Sequence, residues 1–172
     1  MKLKLTLRVF LLLLVQTNAL SQSFIQGYQD VVNQVSQTNT TTNLTEFENL
    51  GVKTRGSAAQ TNTLNWIKNK YLSYGFTAAQ ITEDPFTYTG STAICKNLIV
   101  TKTGTLYPNT FVIICAHYDT FTGTGTNDNG SGTNVLLETA RLLQSTPTEY
   151  SIKFIHFSGE EDGLRGSQHY VS

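Results

Sequence analysis

The chain has 172 residues, enough for one domain with a sizeable core. Lys and Arg number 12 against 12 Asp and Glu, so the formal net charge is zero. No basic cluster longer than a few residues occurs, which argues against nucleic acid and against electrostatic attachment to a membrane surface.

Lys2, Lys4 and Arg8 give the chain a basic start, followed by an unbroken apolar run from Val9 to Val15. That run is well short of the roughly 20 residues a bilayer-spanning helix needs. Thr17-Asn18-Ala19 then offers the small residues that a signal peptidase reads, so residues 1–19 are expected to be a signal peptide cut after Ala19. The location this implies is secreted, that is, periplasmic or extracellular. Export permits a disulfide, and the chain has two cysteines, Cys95 and Cys115. Their pairing is left open. Cys115 lies in the run Phe111 to Ala116, where a buried thiol would serve as a small hydrophobe.

Phe24, Tyr28, Val31, Val32 and Val35 recur at helical spacing and predict an amphipathic helix. Thr38 to Asn43 is a polar Thr/Asn tract and reads as a linker or loop. Thr45-Glu46-Phe47-Glu48 resembles a capping box and would begin a short helix. Ser57 is placed to cap a longer helix with Leu64, Ile67, Tyr71 and Tyr74 on one face, and Gly75 to end it.

Strands are expected over Ile81 to Tyr88, Asn97 to Lys102 and Phe111 to Ala116, the last two as neighbours across a turn with Gly104, Pro108 and Asn109. Val135, Leu136, Thr139, Leu142 and Leu143 give a helical stripe, and Ile152 to Phe157 is a further strand. Gly163-Leu164-Arg165-Gly166-Ser167 opens a last helix.

The segment from Phe111 to Phe157 therefore reads strand, loop, helix, strand. Such a crossover sets two strands parallel, with their C-terminal ends on one edge of the sheet. Open α/β sheets bind ligands at that edge. His117 and Asp119 follow the first strand, Asp128 lies in the Gly- and Asn-rich loop, and Glu160 and Glu161 follow the second strand. A histidine after a strand, an Asp-Asn-Gly turn and adjacent glutamates each have a structural explanation when taken singly. Their placement on one edge is what points to a metal.

Zinc takes imidazole nitrogen and carboxylate oxygen. Asp119, two residues beyond His117, suits the role of orienting that imidazole. Asp128 could bridge two cations through its two oxygens. In an extended segment Glu160 and Glu161 would point in different directions, one toward metal and the other toward the attacking water.

His117-Tyr118-Asp119, then Asn127-Asp128-Asn129-Gly130-Ser131-Gly132, then Gly159-Glu160-Glu161-Asp162-Gly163-Leu164-Arg165-Gly166-Ser167 resemble the signature of family-28 zinc metallopeptidases. The likeness runs from about Gly56 to the end. It implies an α/β fold, a mixed, largely parallel β-sheet flanked by helices, with two zinc ions. It also implies His117 as a ligand of one zinc, Asp128 as the bridge, Glu161 as a ligand of the second, Glu160 as general base, and Asp119 as the residue orienting His117. Members often carry a cis peptide after the bridging aspartate, here Asp128-Asn129. The implied activity is a secreted exopeptidase, an aminopeptidase acting on peptides by a water that the metal activates, with no membrane contact after signal cleavage.

On that resemblance, residues 20–55 form an N-terminal helical segment and linker, and residues 56–172 the N-terminal portion of the catalytic domain. The family pattern expects a further aspartate and histidine downstream of Ser167. His169 comes too soon to serve, and His156, inside a strand, reads as structural. Two of the expected ligands are thus missing from this chain, which is expected to bind zinc weakly and to be inactive alone. A glutaminyl-cyclase-like enzyme of the same fold is the alternative, although that branch is not expected to keep the histidine seen at His117. A non-catalytic binding module is another.

Overall fold

The computed structural model describes residues 24–172, and the expected signal peptide at 1–19 lies outside them. The chain divides into two units after Asn33. In the first unit, α1 (Gln26–Val32) buries none of its residues. The helix expected there forms, but Phe24, Tyr28 and Val32 are all exposed. No helix among the described residues is long and apolar enough to cross a membrane.

The second unit contains α2 (Gln37–Asn49), α3 (Ala58–Ser73), β1 (Ile81–Phe86), β2 (Cys95–Lys102), β3 (Tyr107–His117), α4 (Ser131–Leu143), β4 (Tyr150–Phe157) and α5 (Arg165–Val171). The four strands form one mixed sheet in the order β1-β2-β4-β3. The β1–β2 and β2–β4 pairs are antiparallel, and β3–β4 is parallel, with His117 opposite Phe157 at its end. A right-handed βαβ crossover through α4 is the standard way to join such a parallel pair.

Helix α3 starts where Ser57 accepts the N–H of Gln60 at 3.0 Å, and it stops before Gly75, whose φ of 98° takes the chain out of helical geometry. Its buried face carries Leu64, Ile67 and Tyr71. Leu136, Leu137 and Ala140 of α4 join them over Leu98, Val100 and Phe154 of the sheet. Burial of these side chains is the main favourable term holding the sheet to its helices. The stripe of α4 is turned from the expected one, since Val135 is 59% exposed.

Three expectations are corrected. Thr38 to Asn43 is helix rather than linker, and Ser36, not Thr45, caps it by accepting the N–H of Asn39 at 3.2 Å. Strands β2 and β3 are not neighbours, because β4 lies between them. The run Phe111 to Cys115 is not buried. As an edge strand among the described residues, β3 leaves Phe111, Val112, Ile113 and Cys115 exposed, and Cys95 and Cys115 are both free thiols.

Candidate metal centre

The parallel β3–β4 pair ends at His117 and Phe157, so the next residues of both strands emerge on one edge. Asp119 joins them. Its carboxylate oxygens accept the N–H groups of Glu160 and Glu161, each at 3.2 Å, and its carbonyl lies 3.1 Å from His117 Nδ1. The carboxylate itself stands off at 3.7 Å from that nitrogen. The contact of Asp119 with His117 thus runs through its backbone, while its side chain anchors the glutamate pair. Burial pushes its carboxyl pKa up, and the N–H groups of Glu161 and Glu160 oppose this.

A carbonyl can only accept, so the Asp119 carbonyl favours a proton on Nδ1, the tautomer that would leave Nε2 free for a metal. Nε2 faces Asp128 Oδ1 at 3.0 Å and Glu160 Oε2 at 3.6 Å. One ligand atom each from His117, Glu160 and Glu161 lies within 4.8 Å of the others. The glutamates are not in an extended segment that sends them apart. They open a turn in which Glu160 O accepts the N–H groups of Gly163 and Leu164, both at 2.8 Å, and each brings a carboxylate oxygen to within 4.8 Å of an imidazole nitrogen.

Asp128 is delivered by the loop before α4. The Gly130 N–H bonds to Gly125 O at 2.8 Å, and the Asp128-Asn129 peptide is cis, as the family likeness implies. The amide oxygen of Asn129 accepts the Gly132 N–H at 2.9 Å, and Thr133 Oγ1 donates to His117 O at 3.2 Å. The first turn of α4 therefore fixes both the loop and the end of β3.

The far side of the glutamate turn has a support that spacing does not reveal. Asp162 pairs with Arg55 at 2.8 Å and accepts from the Tyr88 hydroxyl at 2.6 Å. Arg55 also donates to that hydroxyl at 2.6 Å. The other two histidines lie elsewhere. His156 is fully buried and bonds Tyr71 OH at 2.9 Å, the structural role expected of it. His169 pairs with Asp84 at 3.1 Å in α5.

The donor set suits zinc. His117 Nε2 faces the carboxylates of Asp128 and Glu160, and a Glu161 oxygen lies within 4.8 Å of the His117 and Glu160 ligand atoms, a mixture of nitrogen and hard oxygen. Like-charged carboxylates this close repel unless a cation or protons sit among them. Asp128 enters this group through its contact with His117.

Residues 97–172 match Peptidase family M28. Aminopeptidase YwaD of Bacillus subtilis is 56% identical over 61 residues, covering 35% of this chain and 13% of that protein. The family match places residues 97–172 in peptidase family M28. Among solved structures, the LapA aminopeptidase of Legionella pneumophila superposes with a TM-score of 0.68 at 24% identity, over 88% of this chain and 44% of that one. A glutaminyl cyclase from Porphyromonas gingivalis superposes with a TM-score of 0.65 at 25% identity, over 79% of this chain and 52% of that one. The M28 fold thus carries more than one activity, and the side chains at the sheet edge have to decide between them.

Proposed function

We propose that these residues serve a secreted, zinc-dependent exopeptidase, an aminopeptidase that removes N-terminal residues from peptides. The observation that carries this reading is the convergence of His117, Glu160 and Glu161 within 4.8 Å, with Asp128 3.0 Å from His117 Nε2. Residues 1–19 would direct export, and residues 56–172 would belong to the catalytic domain. The match to M28 and to a protein named an aminopeptidase supports the choice of reaction. Retention of His117 favours it over a cyclase.

His117 and Glu161 would each hold one of two zinc ions, and Asp128 would bridge them through its two carboxylate oxygens. Bound zinc supplies Lewis acidity that makes water nucleophilic near neutral pH. Glu160 takes the proton from the attacking water and returns it to the leaving amine, a role worth ~10² to 10⁴ in rate. Asp119 favours the Nδ1–H tautomer of His117 and holds both glutamates by their N–H groups.

The decisive experiment compares two isosteric changes in an enzyme that contains these residues. Glu160→Gln should keep its zinc and lose ~10² to 10⁴ in kcat with KM little changed. Glu161→Gln should lose zinc, and added zinc should partly restore its activity. Full activity of the wild type in excess chelator would remove the metallopeptidase reading altogether.

A further inference from the structure

Lys53 has no solvent exposure, yet its ammonium has carbonyl partners rather than a carboxylate. Fully buried lysines are rare unless paired, because removing the charge from water is costly. Nζ donates to Gly51 O at 2.6 Å and to Thr124 O at 2.8 Å, and stands 3.8 Å above the ring centroid of Phe47. Gly51 follows the C-terminal end of α2, the end whose dipole favours a cation. Burial draws the ammonium pKa down to about 8, with Glu48 opposing the fall.

These partners surround the loop that delivers Asp128. The Lys53 N–H donates to Thr120 Oγ1 at 2.8 Å, and its carbonyl accepts the Thr120 N–H at 3.3 Å. Thr120 follows Asp119 directly, and Thr124 lies midway to Asp128. Beneath the ammonium, Phe47 packs so closely on Gly130 that a methyl group there would meet its ring at 2.6 Å. One residue therefore grips the start and middle of the loop, and the ring it covers supports the loop's end.

We propose that Lys53 is a positioning residue of the metal centre: its ammonium and backbone clamp the segment from Thr120 to Thr124 and thereby hold Asp128 against His117. This rests on the reading of Asp128 as a metal ligand. A neutral side chain of the same length would leave Gly51 O and Thr124 O without their donor, the loss that makes a buried carbonyl expensive. The clamp would loosen while the packing of α2 stayed in place.

The test uses the full chain with Co²⁺ alone as the probe, read by its visible absorption, together with amide hydrogen exchange in the absence of metal. Lys53→Met should keep native circular dichroism, exchange faster at the Thr120 and Gly130 amides, and bind Co²⁺ ~10-fold or more weakly. Lys53→Arg, which retains a cation and donors, should recover most of that affinity. In an Asp128→Ala background, Lys53→Met should cost nothing further, because the residue acts through Asp128.

An equal loss in both backgrounds overturns the proposal, and so does unchanged exchange at both amides in a folded Lys53→Met. If Lys53→Met does not fold, Lys53→Arg decides alone. Affinity near that of the wild type then supports the clamp, and a ~10-fold loss in a native fold overturns it. If the wild-type chain binds no Co²⁺, the metal reading of the site fails separately, and the exchange rates still decide whether Lys53 holds the loop.

Discussion

The carboxylate of Asp119 accepts the backbone N–H of Glu161 at 3.2 Å, and its other oxygen does the same for Glu160. The residue that follows β3 thus sets the position of the pair that follows β4, independently of any side-chain contact between them. Asp119→Asn keeps the shape but turns one acceptor into a donor that faces an N–H. Leaving one buried donor unsatisfied costs about 1–3 kcal/mol. The variant should therefore lower the melting temperature of the metal-free chain, measured by thermal denaturation. If Asp119 acted on His117 alone, metal affinity would fall with no change in the melting temperature of the metal-free chain.

Much of this edge is legible in the sequence because strand ends and glycine-rich loops carry local signals. The apolar runs before His117 and Glu160, with the helical stripe between them, suffice to put both groups on one edge. The helix over Thr38 to Asn43 is not legible, since Thr and Asn are poor helix formers. Tertiary contacts override that preference: Asn43 is buried and donates to Asn134 Oδ1 at 3.2 Å, and Phe47 is 1% exposed. The insertion of β4 between β2 and β3 leaves no trace in the turn that joins those two strands. The Arg55–Tyr88–Asp162 group draws on three distant segments, so no spacing announces it. Apolar content predicts burial of Cys115, but exposure on β3 depends on its place at the edge.

His156 gives the fold a pH dependence with a definite sign. Burial lowers its pKa from the ordinary 6.5 to about 3, so folded His156 stays neutral where the unfolded residue takes a proton. Between those two values the unfolded chain binds more protons, and stability falls as pH drops through that window. Above 6.5 the contribution is constant. His156→Gln should flatten unfolding free energy against pH in this window by up to about 1.4 kcal/mol per pH unit. Urea denaturation at a series of pH values measures it, and parallel curves for the two proteins would count against a neutral, buried His156.

Gly166 ties the start of α5 to the end of β4. Its carbonyl accepts from the Asn97 side chain at 3.0 Å, and a Cβ there would collide with Ser158 O and Asn97 Oδ1. One of those atoms is backbone, so a flexible side chain cannot simply move away. Gly166→Ala should destabilise the chain by about 1–3 kcal/mol through overpacking, even though alanine is the better helix former. A raised melting temperature would show that helix propensity outweighs the close approach.

Asp128 separates the site from the scaffold. Its side chain is 79% exposed, so Asp128→Ala removes little buried surface, and a surface change of this kind alters stability by about 0.5 kcal/mol or less. Its carboxylate nevertheless faces His117 Nε2 at 3.0 Å and is the group proposed to serve both ions. The variant should therefore unfold at nearly the same denaturant concentration as the wild type. In an enzyme carrying the complete site, it should lose zinc from both positions, where His117→Ala removes chiefly one. Metal content by elemental analysis after dialysis, read beside the denaturation curve, checks both halves. An Asp128→Ala enzyme that keeps its full zinc complement would exclude the bridging role while leaving His117 and Glu161 as candidate ligands.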